Sequence, residues 1–305
     1  ESIPHRSVLY QPIIHALRPH SPGFYVDGTL GAGGLAWGIL EASAPDGQLL
    51  GLDLDPHALQ IAGQRLGDFK SRAILRQASY TSLKAQLAEL GWPAVDGILL
   101  DLGVSSMQLD QAERGFSFQQ EGPLDMRFSP LQSITAADLV NQLPEDQLAE
   151  IIWRYGEEQQ SRRIARAIVQ SRPISTTLQL AEVIRKATAG HGRLHPATLT
   201  FQALRIAVNT ELQAIEAVLP QAMDALTPGG RLAVISFHSL EDRLVKQTFR
   251  RESRDCICPP EQPVCTCSHK ASIREVNRHP ITAGDAEIAE NPRARSARLR
   301  VIEKL

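Results

Sequence analysis

Val26-Asp27-Gly28-Thr29-Leu30-Gly31-Ala32-Gly33-Gly34 is the stretch that decides the fold class. It joins a short apolar strand, Phe24–Asp27, to a helix that begins over residues 35–42. Glycines suit such a turn because a side chain would hold the backbone away from a ligand, and because positive φ excludes most residues with a Cβ. Outward from the turn, the chain alternates. Gln48–Asp53 reads as a buried strand, and Asp55-Pro56 as an N-cap with proline at the first helical position, opening a helix to about residue 66. Ala73–Gln77 is a third strand, 82–90 a helix, and Val95–Asp101 a fourth strand. A βαβαβαβ run predicts a doubly wound parallel sheet with ligands at the carboxyl ends of its strands.

The alternation then stops. Between Leu109 and Arg205 the pattern is helical, with segments at 136–140, 145–155, 159–170, 178–187 and from Thr198 onward. A strand signal returns at 230–237 after the turn cluster Thr227-Pro228-Gly229-Gly230, and 297–302 reads as a last strand closing the sheet. The expectation is an α/β, Rossmann-like domain made of residues 1–108 and 206–305, with 109–205 as a helical insertion that serves as a substrate-recognition domain.

With 305 residues, 43% hydrophobic and 22% charged, the composition is that of a globular protein with a sizeable core. No apolar run approaches the ~18 residues of a membrane span, and no basic-then-apolar leader opens the sequence, so no membrane partner is expected and the location is read as cytoplasmic. The net charge of −2 hides an asymmetry. Residues 154–205 carry nine Lys/Arg against three acids and residues 243–300 twelve against seven, which leaves −13 for the rest. Two basic regions in an acidic chain suit either a polyanion-binding surface or solvated helix faces.

Asp53 ends the second strand about twenty residues past the turn, where it would bind ribose hydroxyls. The turn alone also satisfies a dinucleotide fingerprint, Gly31-x-Gly33-x-x-Ala36, so an NAD-dependent oxidoreductase stands beside a methyltransferase. Asp27 favours S-adenosylmethionine, because an anion at this strand end suits an ammonium and repels a pyrophosphate. Asp101 ends the fourth strand just before the polar loop Leu102-Gly103-Val104-Ser105-Ser106, where a methyl acceptor would sit. The competing reading of Asp27 and Asp101 is as turn formers.

Six blocks carry a resemblance: Asp101 to Ser106, Glu113-Arg114-Gly115-Phe116-Ser117-Phe118, Gly122-Pro123-Leu124-Asp125-Met126-Arg127, Arg162 to Ile168, Ile235-Ser236-Phe237-His238-Ser239-Leu240-Glu241-Asp242-Arg243, and Glu290 to Ser296. Together these resemble the MraW/RsmH family of bacterial methyltransferases, from His5 to nearly the end. The resemblance implies a Rossmann-like S-adenosyl-L-methionine-dependent fold and transfer of a methyl group to the N4 amine of a cytosine in small-subunit (16S) ribosomal RNA. The implied partner is that RNA or the small ribosomal subunit, and a homodimer is compatible with the chain. The implied cofactor residues are Gly33, Gly34, Leu35, Asp53, Tyr80, Asp101 and Gln108. Three positions depart from the family pattern: Leu35 where His is usual, Met107 for a common Pro, and Leu199 within His195-Pro196-Ala197-Thr198-Leu199-Thr200.

An exocyclic cytosine amine is a poor nucleophile, since its lone pair is delocalised into the ring. It needs an acceptor on its N–H that takes a proton as the new bond forms. Asp101 is the expected acceptor and catalytic residue, alone or sharing the role with carbonyls of the following loop, although the chain has Leu-Gly-Val where DNA amino-methyltransferases have Pro-Pro-aromatic. Ser236, Phe237 and His238, at a strand end, are candidate substrate-binding residues, with Phe237 stacking on a flipped base and His238 hydrogen-bonding it or a phosphate. His195 is a further candidate by the same logic.

All four cysteines lie in Cys256-x-Cys258-x6-Cys265-x-Cys267 among Pro259, Pro260 and Pro263. Four thiolates suit structural zinc, but C-x-C is tighter than the usual ligand spacing, and the expectation is reduced thiols in a loop with no metal.

Overall fold

The computed structural model describes residues 7–188, 195–259, 261–262 and 264–305, so His5, Arg193, Pro260 and Pro263 lie outside the described residues. The strands are β1 (Phe24–Asp27), β2 (Gln48–Asp53), β3 (Ala73–Gln77), β4 (Val95–Asp101), β5 (Leu226–Ser236), β6 (Ile273–Glu275) and β7 (Arg298–Lys304). The helices run α1 (Tyr10–Leu17), α2 (Gly34–Ala42), α3 (Pro56–Arg65), α4 (Leu83–Leu90), α5 (Ser106–Asp110), α6 (Ala136–Gln142) and α7 (Glu145–Gly156). They continue as α8 (Ser161–Gln170), α9 (Thr177–Ala187), α10 (Thr198–Asn209), α11 (Glu211–Ala225), α12 (Ser239–Glu252) and α13 (Asp285–Glu290). None of the described helices is long and apolar enough to cross a membrane.

The chain divides into two compact units, one of residues 1–103 with 212–305 and one of 104–211. The first holds a seven-stranded sheet in the order β3-β2-β1-β4-β5-β7-β6. β1 to β5 are parallel, while β7 runs antiparallel to both β5 and β6. Strand order reverses direction between β1 and β4, and at such a switch point the crossovers diverge and leave a crevice above the carboxyl ends.

Period-2 alternation sends each strand's residues to two cores. Tyr25, Leu49, Leu99, Ala233 and Ile235 face α1, α2 and α3, burying Leu9, Ile13, Leu35, Ile39 and Ala62. Val26, Leu50, Ile98, Leu100 and Val234 face α4, α11 and α12, against Leu87, Ile215, Leu219 and Phe249. The sheet is therefore covered on both faces, which is why its strands read as continuous apolar runs.

Two local features differ from expectation. The cluster at 227–230 does not precede β5 but interrupts it: Leu226 pairs with Val95, the chain loops out, and Arg231 resumes against Gly97. Gly229, at φ 82°, makes the excursion possible. The edge strand β6, three residues long, had no readable alternation.

The second unit is helical and has its own core of Phe116, Leu124, Met126, Leu148, Ile152, Ile164, Ile168, Ile184, Phe201 and Leu204. Thr135 and Thr176 cap α6 and α9, each in a reciprocal capping box with Asp138 or Gln179. Two of the family-like blocks brace one another here. Gly115 (φ 69°) leaves room for Pro123, whose carbonyl oxygen would lie 2.1 Å from an added Cβ. Arg114 donates to the carbonyls of Arg127 and Phe128, and Arg127 forms a two-pronged pair with Asp125 at 2.9 and 2.7 Å.

Candidate active site

The register around β1 builds the site in the first unit. Asp27, the last residue of β1, is level with Gly51 on β2 and Leu99 on β4. Both neighbours run two residues further, to Asp53 and Asp101. Since residues two apart on a strand share a face, all three carboxylates lie on one face around a notch at the switch point. The glycine turn fills the notch by lacing to both sides. Gly28 N–H donates to Leu99 O, and Asp101 N–H donates to Thr29 Oγ1 at 2.6 Å. Leu30 N–H donates to Leu52 O, and Gly31 N–H to Asp53 Oδ2 at 2.8 Å.

Glycine is required at particular points of this turn. Gly31 and Gly33 have φ of 51° and 74°, and a Cβ on Gly28 would meet Leu100 at 2.7 Å and the Tyr80 Cβ at 3.2 Å. Gly33 is the N-cap of α2, so the first amides of that helix, from Gly34 and Leu35, open at the turn. The Leu35 side chain is buried in the core below, which leaves its backbone as the part that a ligand could touch.

The electrostatics are those of acids held out of water. Burial pushes the Asp27 carboxyl up to about 7, opposed by the Thr29 amide, with Asp53 adding to the rise. Burial also pushes Asp101 up to about 8, with Asp27 and then Glu241 adding to it. Asp53 is raised by burial too, although the amides of Asp55 and Gly31 oppose the shift. Asp101 Oδ1 is buried and has no hydrogen-bond partner among the described residues. Such an acceptor costs stability unless something arrives to donate to it.

At the end of β5, Ser236 is buried and its hydroxyl donates to Arg298 O at 3.4 Å, which leaves it a structural task. Phe237, two residues past the Ile235 that pairs with Asp101, is half-buried on the same face. His238 also has a place in the start of α12. Its Nδ1 caps α12 by accepting the Glu241 amide at 3.4 Å, while its Nε2 lies 3.1 Å from Glu241 Oε1. Glu241 is fully buried, and its Oε2 accepts from the amides of Phe237 and His238 at 2.8 and 3.3 Å. Sequence reasoning passed over Glu241; the signal was a capping-box spacing, with a polar residue at 238 and Glu three positions on.

Arg298 and Arg300 are two apart on β7 and share a face. Both grip Asp242: Arg300 with Nε at 2.7 Å and Nη2 at 3.2 Å, Arg298 with Nη1 at 3.0 Å. Arg300 is buried there and so holds α12 to the sheet, whereas Arg295 is exposed.

The other two candidates belong to the second unit. Gln108 is buried and closes a capping box at α5: its Oε1 accepts the Ser105 amide at 3.1 Å, and Ser105 Oγ accepts the Gln108 amide at 3.2 Å. His195 stacks on Phe118 with ring centroids 4.5 Å apart, and its Nδ1 accepts the Ala197 amide at 3.2 Å. On α8, Arg162 and Arg163 are exposed.

A family model described as the MraW methylase family matches residues 2–305. Among curated proteins, the ribosomal RNA small subunit methyltransferase H of Dehalococcoides mccartyi is 54% identical over 303 residues, covering 99% of this chain and 87% of its own. The protein of that name from Syntrophotalea carbinolica is 52% identical, covering 100% of this chain and 99% of its own. That from Geobacter sulfurreducens is 54% identical, covering 99% of each.

Proposed function

This chain belongs to the MraW methylase family, and from that premise we propose that it transfers a methyl group from S-adenosyl-L-methionine to the N4 amine of a cytosine in small-subunit (16S) ribosomal RNA. The observation that carries the reading is Asp101: a buried carboxyl at the switch point, with one oxygen unpartnered among the described residues and a proton affinity raised to about 8.

The residues present fit the cofactor. The glycine turn is a cradle that a Cβ would fill, and Asp53 is held by the Gly31 and Asp55 amides with lone pairs left for ribose hydroxyls. Gly33, Gly34 and Leu35 would hold it through backbone amides, with Tyr80 beside the turn and Asp27 toward the methionine ammonium. When bound, the cofactor supplies a methyl activated on a sulfonium. In our reading Asp101 Oδ1 accepts a hydrogen bond from the N4 amine. It localises the nitrogen lone pair and takes the proton as the nitrogen–carbon bond forms. A carboxylate of raised basicity suits that task better than an ordinary one. Phe237 stacks on the base, and His238 and Glu241 position it by fixing the start of α12. The helical unit serves as the RNA-recognition domain, with Arg162 and Arg163 on phosphates.

The test is methyl transfer from labelled cofactor to immature small subunits, naked ribosomal RNA and duplex DNA, followed by nucleoside digestion. Label in N4-methylcytidine from either RNA substrate supports the reading and says which form is used. Label confined to DNA, or to another nucleoside, overturns it.

A further inference from the structure

The loop between α12 and β6 brings the four cysteines together: one Sγ from each of Cys256, Cys258, Cys265 and Cys267 lies within 4.8 Å of all the others. Cys265 and Cys267 sulfurs are 3.6 Å apart, and Cys267 and Cys256 sulfurs 3.9 Å, with no disulfide among them. A tetrahedron of thiolates at ~2.3 Å from a central ion has edges of about 3.8 Å. A bonded sulfur pair would be at ~2.05 Å. The separations are those of ligands around an ion.

Three further observations agree. Residues i and i+2 of an extended chain project to one side, so a C-x-C pair presents both sulfurs to one centre, and the short spacing that argued against a metal is compatible with it. The Ile257 amide donates to Cys267 Sγ at 3.5 Å, the type of hydrogen bond that orients a ligating thiolate. And the loop has no core of its own. Among its described residues, 253–272, none is buried, and Val264 is 69% exposed. At its base the segment is tied by Ser272 N–H to Glu252 O, Ala271 N–H to Asp255 Oδ1 and His269 Nε2 to Arg251 O.

We propose that Cys256, Cys258, Cys265 and Cys267 bind a structural zinc ion that holds this loop against the end of α12. Four thiolates in a tetrahedral set match Zn2+, and the ion replaces the thiol protons, which leave to solvent. The site is independent of the methyl-transfer reading and stands or falls separately.

The experiment uses the full chain purified without chelator in reducing buffer. Metal analysis should find stoichiometric zinc, and Cys258→Ser with Cys265→Ser should lose nearly all of it. Because that variant could misfold, a second measurement uses the parent. Chelator-stripped protein is titrated with Co2+, and should develop sulfur-to-cobalt charge-transfer and tetrahedral d–d bands that Zn2+ then displaces. Stripping should also open residues 253–272 to protease, and Zn2+ should close them again. Zinc retained by the double variant, iron in its place, an intact mass reporting disulfides, or a stripped parent that binds neither Co2+ nor Zn2+ would each overturn the proposal.

Discussion

The backbone amide of Asp101 donates to Thr29 Oγ1 at 2.6 Å, fastening the last residue of β4 to the second residue of the glycine turn. Thr29→Val keeps the shape and removes the acceptor. It should cost about 1–2 kcal/mol of folding stability and lower turnover by freeing Asp101, while Thr29→Ser restores both. Chemical denaturation and single-turnover rates check this; a Val variant matching the parent in both would show that the bond fixes nothing.

Asp101→Asn should lower the rate of methyl transfer by about 10²-fold or more while leaving cofactor affinity within a few-fold. In the parent the rate should rise with pH through about 8, as the carboxyl ionises, and this limb should vanish in the variant. Near-normal turnover in the Asn protein rules out a base role.

Glu241 raises the proton affinity of Asp101, after burial and Asp27. Glu241→Gln preserves an acceptor for the Phe237 and His238 amides but removes the charge, so the rising limb of the rate profile should move to lower pH with little change in melting temperature. Glu241→Ala should instead lose the cap, worth ~1 kcal/mol. An unmoved profile in the Gln protein would mean that the two groups are not coupled.

Asp27 and Asp101 both have folded-state values raised from an ordinary carboxyl, to about 7 and about 8. The stability they contribute is complete below the unfolded value and is lost as pH rises through the folded ones, because the folded state must then hold buried charge. The ligand-free protein should therefore lose stability, on the order of a few kcal/mol, between about pH 5.5 and 8.5. Asp27→Asn should flatten that slope. Thermal melts across the range decide it, and an equal slope in the variant would locate the titration elsewhere.

Arginines of the two basic regions should separate by experiment. Arg162→Ala and Arg163→Ala should each weaken RNA binding and reduce the salt slope by about 1, without lowering the melting temperature. Asp242→Ala leaves Arg300 buried without its carboxylate and should cost about 3–5 kcal/mol. RNA titrations at several salt concentrations, beside melts, test both; an Arg162 variant with unchanged salt dependence removes that residue from the interface.

β1 and β2 were legible to the residue because strands covered on both faces are apolar runs, here opened after Gly23 and Gly47 and closed by Asp27 and Asp53, and β3 and β4 followed from the regular alternation with the helices between them. β5 was harder. Its pairing begins at Leu226, passes through a glycine excursion, and resumes, and local turn chemistry cannot reveal that the two pieces share a neighbour. α1 escaped notice as well. It is short, and the residue before it, Leu9, has φ of 52° and offers no capping side chain. In the site, Asp27, Asp53 and Asp101 stood out by position at strand ends. The double duty of His238 and the burial of Glu241 did not, since both depend on how α12 docks. The gathering of the four thiols was not legible either, because it depends on two C-x-C corners meeting across a loop.

The two-residue shortfall of β1 against β2 and β4 means that strand length sets the candidate site, by deciding where the glycine turn enters between Asp53 and Asp101. Such a site tolerates exchange of one apolar residue for another at 24–26 but not a change of length. A two-residue insertion after Val26 would bring the three strand ends level and cancel the recess without altering any of the acids beside it. Along this part of the chain, deletions and insertions should therefore be purged far more severely than substitutions.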